Sequence, residues 1–212
     1  MKKNNLKIIV FVSMLVLAAM ACAIPGLNSV MQDDFSSSDS GWGTGTDSSS
    51  SVEYSNGGFA MTVYQPFYVT WSTPNTEVYE NTHIEVSVAN TSADPEALFG
   101  IICNEQGSTQ AFYYVGVSPD GYYAFIKSSV ALDDVFLKEG TSDVISSSAS
   151  SMKIGLDCGN GSLVLYINGQ QIDSVTDSSY TSGEIGLFAA SDDQESGASV
   201  VFDDFVVTKL GK

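Results

Sequence analysis

Residues 163–207 read LVLYINGQQIDSVTDSSYTSGEIGLFAASDDQESGASVVFDDFVV, and this run decides the fold. Leu163–Ile167 and Gln171–Val175 alternate between two faces and flank Asn168-Gly169. That dipeptide is the strongest short hairpin signal, because both turn residues must take φ > 0. Gly183-Glu184-Ile185-Gly186-Leu187 then starts a strand whose glycines imply close backbone approach. Ser199–Val207 closes the domain.

Upstream, the same grammar of short alternating runs and turns continues. Asp33-Asp34-Phe35 reads as a first strand, followed by a loop over Ser36–Trp42. Ser48–Ser51 reads as low-complexity loop. Gly58–Val63 and Phe67–Trp71 are strands separated near Pro66. Thr82–Ala89 places Ile84, Val86 and Val88 on one face and His83, Glu85 and Ser87 on the other. Leu98–Cys103 is nearly continuous apolar sequence and therefore a central strand. Ala111–Val117 and Tyr122–Ser128 flank Ser118-Pro119-Asp120-Gly121, whose Pro and Gly positions fit a type I turn with a glycine bulge. Val135–Leu137 is a short strand, Ser146–Ser151 a second serine-rich loop, and Met152–Cys158 alternates again. A repeat of solenoid length is not evident.

Leu165-Tyr166-Ile167-Asn168-Gly169, Gly183-Glu184-Ile185-Gly186-Leu187 and Phe202-Asp203-Asp204-Phe205 resemble the C-terminal half of a concanavalin A-like (laminin G-like) β-sandwich. The resemblance reaches back to about Asp33. It implies an all-β, two-sheet antiparallel jelly-roll sandwich over residues 33–210, with the first strand paired to the last along Phe202–Val207. It also implies relatives that bind or cleave glycans.

Composition narrows the function further. The 212 residues carry 25 acids against 8 lysines, with no arginine, for a net charge of −17. Phosphate-neutralising cations are missing, which excludes nucleic acid as a partner and disfavours anionic lipid headgroups. Met1–Lys7 is basic, Ile8–Ala18 is apolar, and Ala19-Met20-Ala21 precedes Cys22. That layout reads as a secretory signal over residues 1–21. Small residues before a cysteine resemble a bacterial lipobox, so Cys22 is expected to carry lipid and residues 22–32 to form a tether. Cleavage after Ala21 without lipid and a retained anchor are the alternatives. The tether spans at most ~35 Å, which keeps the domain at the outer face of a membrane, on the cell surface.

Cys103 and Cys158 remain after the leader. An even pair in an exported domain reads as a disulfide, worth ~4 kcal/mol in the chain-entropy model for a loop of about 55 residues. His83, the lone histidine, lies on a polar strand face and reads as solvated; a Gly-x-Ser-x-Gly elbow is absent from the sequence. Glucanases of the resembled fold carry Glu-x-Asp-x-x-Glu on one strand, and that string is absent too. Asp133-Asp134 and Asp192-Asp193 are acid pairs that read as loop residues.

If the first and last strands pair, Asp33, Asp34, Asp203 and Asp204 converge. On strand parity Asp203 shares a face with Phe205, and Asp204 shares one with Phe202. The resemblance implies structural Ca²⁺ at such aspartates; capping of backbone amides is the alternative. Phe112 and Tyr114 share a face whatever the register; a bulge in the Pro119-Asp120-Gly121 turn adds Tyr122 to them, and without the bulge Tyr123 joins instead. With Trp71 as a wall, these rings form an expected stacking platform for a glycan. The expected function is a surface-anchored lipoprotein with a non-catalytic glycan-binding domain. A structural or adhesion lipoprotein with a protein partner, and a glycoside hydrolase with an unrecognised carboxylate pair, are the alternatives.

Overall fold

The computed structural model describes residues 29–211 apart from 75–76, 108–110, 130–131 and 193–196. The strands are β1 (Ser29–Asp33), β2 (Gly45–Thr46), β3 (Ser50–Ser55), β4 (Gly58–Val63), β5 (Val69–Ser72), β6 (Thr82–Asn90) and β7 (Leu98–Glu105). They continue as β8 (Phe112–Val117), β9 (Tyr122–Ser129), β10 (Leu132–Thr141), β11 (Ser151–Gly159), β12 (Ser162–Ile167), β13 (Gln170–Thr176), β14 (Glu184–Ala190) and β15 (Ser199–Lys209). One sheet runs β13-β12-β11-β6-β15-β4-β3-β2, with β1 also paired to β15; the other runs β10-β9-β8-β7-β14-β5. Every pairing is antiparallel. The molecule is the all-β, two-sheet jelly-roll sandwich that the sequence implies.

Side-chain alternation explains how the sheets meet. Ile84, Val86 and Val88 on β6 and Leu163, Leu165 and Ile167 on β12 are buried, while their neighbours stay partly open. They pack against Phe99, Ile101, Val115, Val117 and Phe125 of the facing sheet in one core. The Cys103–Cys158 disulfide joins β7 to β11, and so bridges the two sheets across a sequence separation of 55. Asn168 and Gly169 have φ of 51° and 78°, as a tight β12–β13 hairpin demands. Gly121, at φ 104°, donates its N–H to Ser118 O at 3.0 Å and closes the β8–β9 turn.

Several boundaries differ from the sequence reading. The first strand is Ser29–Asp33, so residues 29–32 of the expected tether pair with β15. Ser50 and Ser51 belong to β3 and are buried, which corrects the loop expected over Ser48–Ser51; small hydroxyl side chains fit where β3 lies between β4 and β2. Asp133 and Asp134 lie within β10, a strand of ten residues rather than a short one. Asp143–Ser146 forms a short helix, α1, capped by the Ser142 side chain, with Ile145 buried. The expected signal segment and the expected lipidation site Cys22 lie outside the described residues, and Asp193 does too.

Candidate functional site on the outer face of the six-stranded sheet

The six-stranded sheet is apolar on both faces. Cross-strand partners place Trp71 (β5), Phe188 (β14), Gly100 (β7), Gly116 (β8), Ala124 (β9) and Glu139 (β10) in one row. The next row is Gly186, Ile102, Tyr114, Ile126 and Phe136. Phe136 keeps this parity because β10 shifts register between Phe136 and Lys138. Residues of both rows form a second apolar cluster, separate from the sandwich core, with Phe112 and Ala190 buried in it and Leu98 and Tyr122 packed against it.

Glycine shapes the surface at position 116. A Cβ there would stand 2.6 Å from Phe188 Cζ and 2.9 Å from Leu98 Cγ, so the Phe188 ring lies where a side chain would otherwise project. Tyr114 meets Phe188 edge-on, with centroids 5.2 Å apart at 75°. Phe112 lies 5.8 Å from Tyr114 and 6.1 Å from Trp71. The four rings expected to act together are therefore on one face. The turn bulge puts Tyr122 on it, whereas Tyr123 points the other way and donates to Asp173 Oδ2 at 2.7 Å.

The display of those rings is a correction. Phe112 and Tyr114 are each only 8% exposed. They are the floor: Phe112 packs between Trp71 and Tyr114, and Tyr114 packs against Phe188 and bonds Asp134 of β10. The rings offered to solvent are Trp71 at 40% and Phe136 at 56%, on opposite edge strands. Val69 shares the parity of Trp71 on β5 and is also exposed. A groove of about 400 Å³ is lined by both Val69 and Phe136, so the sheet curls until its edges flank a common concavity. Sequence reasoning missed Phe136 because β10 was read as a fragment, and a bulge reverses parity within it.

The polar groups of the groove are tied down. Tyr114 donates its hydroxyl to Asp134 Oδ2, and Tyr122 donates to Glu139 Oε2 at 2.7 Å. Burial first, and then these carboxylates, push both phenols well above their ordinary value. Asp120 Oδ1 accepts the Tyr122 N–H at 2.9 Å at the groove's end.

Three of the four aspartates expected to bind calcium accept hydrogen bonds within the protein. Asp33 Oδ1 accepts Phe35 N–H at 2.8 Å, and Asp33 Oδ2 accepts Trp42 Nε1–H at 2.8 Å. Asp34 Oδ1 accepts the Ser36 hydroxyl at 2.6 Å and its N–H at 3.1 Å. Asp203 Oδ1 accepts Asp204 N–H at 2.7 Å. β15 shifts register between Asp203 and Val206, and Asp204 has φ 50°. That bulge breaks simple alternation: Phe202 and Phe205 both enter the core, and neither Asp203 nor Asp204 does. No group of three or more His, Cys, Asp and Glu suited to a metal occurs among the described residues. Asp33, Asp34 and Asp204 line one pocket with Gln32, in which Asp33 accepts through both oxygens and Asp34 through Oδ1 alone.

His83 differs from its solvated reading. Its Nδ1 lies 2.5 Å from Asp157 Oδ1, and Tyr166 donates to Asp157 Oδ2 at 2.9 Å. This cluster sits on the outer face of the other sheet.

Comparison with known proteins supports the architecture. No family model matches the chain, and no curated protein matches it. Among solved structures, it is similar to carbohydrate binding module CBM66 from Bacillus subtilis, with a TM-score of 0.64, 12% identity, 80% of this chain and 96% of that chain covered. A Bacillus subtilis protein of unknown function with a galectin-like fold gives 0.64, 12%, 86% and 96%. A Bacillus licheniformis β-glucanase gives 0.62, 12%, 88% and 100%. The fold is thus the concanavalin A-like sandwich shared by binding modules and hydrolases.

Proposed function

We propose that this chain is an exported, non-catalytic glycan-binding domain held at a membrane surface by lipid on Cys22. The observation that carries the binding role is the curled apolar face, with Trp71 and Phe136 exposed on opposite edges and Phe112, Tyr114 and Phe188 beneath. Pyranose C–H faces stack on such rings, while hydroxyls find acceptors at the rim.

Support for a non-catalytic role comes from the floor. Its positions on β7, β8 and β14 are Leu98, Gly100 and Ile102, then Phe112, Tyr114 and Gly116, then Gly186, Phe188 and Ala190. Glycoside cleavage needs two carboxyl groups flanking the scissile bond, and this floor supplies none. The solved neighbours include both a binding module and a glucanase, so the choice rests on this chain's own residues.

The test is a glycan array probed with the exported protein, followed by product analysis on every hit. Binding without cleavage is the expected result. Cleavage of a bound glycan would transfer the domain to the hydrolases, and an empty array would leave the face for a protein partner. Membrane fractionation of Cys22→Ser against wild type tests the anchor, and equal retention of both would remove it.

A further inference from the structure

Hydrogen-bond accounting in the groove indicates which glycans it takes, given that it binds glycans at all. Its lining hydroxyls belong to Tyr114, Tyr122, Ser118 and Ser191. Tyr114 donates to Asp134 and Tyr122 to Glu139. Ser118 Oγ donates to Glu96 O at 3.4 Å, and Ser191 Oγ donates to Gln65 O. Each proton is therefore committed within the protein. The other polar lining side chains are Glu96, Asp120 and Asp192, which only accept.

Cations are drawn elsewhere. Lys127, on β9, turns to Asp177 Oδ2 at 3.1 Å, and Lys138, on β10, turns to Asp173 Oδ1 at 2.6 Å. Neither lysine lines the groove. The register shift beside Lys138 sends it to the face opposite Phe136. Trp71 adds an indole N–H only at the β5 edge. Among the described residues the result is an apolar trough whose side-chain rim accepts hydrogen bonds and carries negative charge.

We infer that the groove selects hydrogen-bond-donating, non-anionic saccharides, prefers a protonated amino sugar to its N-acetylated form, and rejects uronic, sulfated or sialylated glycans. An ammonium group meets Asp120 or Asp192, carboxylates of the groove lining, as a charge-assisted donor, the strong class of hydrogen bond. Acetylation removes that charge. A carboxylate or sulfate brings more acceptors and more negative charge to a rim that already has both, and like charge in a partly desolvated groove is repelled.

The inference rests on the glycan-binding reading, and one design separates their failures. The exported protein is probed on an array carrying neutral, amino, N-acetylated and anionic glycans. Calorimetry follows with matched oligomers of glucosamine, N-acetylglucosamine, glucose and galacturonate at pH 6 and two salt concentrations. Hits should be confined to donor-rich, non-anionic classes, with glucosamine oligomers about tenfold or more tighter than their N-acetylated partners. Added salt should weaken the glucosamine binding and leave neutral binding unchanged. Asp120→Asn with Asp192→Asn should abolish the amino-sugar preference, while Glu53→Gln, exposed on the other sheet, should preserve it; melting curves verify folding. An anionic glycan bound as well as its neutral counterpart, or a preference retained in the double variant or lost in Glu53→Gln, overturns the selectivity and leaves glycan binding standing. No hit of any class overturns both.

Discussion

Trp42 donates its indole N–H to Asp33 Oδ2 at 2.8 Å, and the ring it positions is buried against Phe35, Phe59 and Phe205. The Phe205 contact is edge-on, with centroids 5.0 Å apart at 87°. Asp33 ends β1, and Phe205 is its partner on β15. One carboxylate therefore ties the first strand, the loop after it and the last strand to the same aromatic cluster.

Asp33→Ala removes the acceptor and leaves a buried indole N–H without its partner. Loss of about 1–3 kcal/mol is expected. At about 2–4 °C of melting temperature per kcal/mol for a domain of this size, thermal unfolding resolves it. An unchanged melting curve would show that water or another group replaces the carboxylate at no cost.

Calcium is the complementary measurement. Anything bound to the native state alone raises its melting temperature. With Asp33 engaged through both oxygens and Asp203 bonded to Asp204 N–H, saturating Ca²⁺ is expected to leave the transition where it is, and a chelator to do the same. A clear upward shift with Ca²⁺ would restore the metal at these aspartates.

The inter-sheet disulfide should matter more than any single surface contact. Replacing Cys103 and Cys158 together with serine is expected to cost about 2–5 kcal/mol. Peptide mapping without reductant should recover the two cysteines as one linked species. Free thiols in protein taken from its native compartment would contradict the pairing.

Glu105 should make stability depend on pH. It ends β7 opposite Glu184 on β14, is 8% exposed, and its Oε2 is buried with no hydrogen-bond partner among the described residues. Burial first, then the Glu184 charge, raises its pKa above the ordinary carboxylate value. A raised folded pKa means that the protonated form is favoured by folding. The associated stability is complete below the unfolded pKa and is lost as pH rises through the folded one. Glu105→Gln should therefore gain on wild type as pH increases from about 4 to 7. Parallel melting-temperature profiles for the two proteins would exclude Glu105 as the source.

Much of this organisation is legible in the sequence, and the failures have common causes. Asn168-Gly169 fixes its hairpin because few backbone conformations satisfy a two-residue turn. The faces of β6 and β12 follow from alternation, since one side meets the core and the other does not. Alternation fails at Asp204 and near Phe136, where bulges insert a residue and reverse the faces beyond it. It also cannot separate Phe112 and Tyr114 as floor from Trp71 and Phe136 as rim. Strand parity says which residues share a face, while sheet curvature decides which of them solvent reaches.

That division between floor and rim supplies the sharpest mutational contrast. Tyr114 is packed against Phe112 and Phe188, and its hydroxyl is held by Asp134. Tyr114→Ala empties the middle of the second apolar cluster and should destabilise the domain by about 3–5 kcal/mol, as large aromatic truncations do. Tyr114→Phe keeps the ring and releases only Asp134, so it should retain most of the stability. Trp71 is partly exposed on an edge strand and touches Phe112 at 6.1 Å. Trp71→Ala should change the melting temperature little. It should weaken binding to any array hit by about 1–3 kcal/mol, the loss expected of a central aromatic anchor. Melting and binding are read on all three variants. If Trp71→Ala binds as wild type does while Tyr114→Phe is the variant that loses ligand, contact with the glycan lies at the Tyr114–Asp134 pair and not at the rim rings.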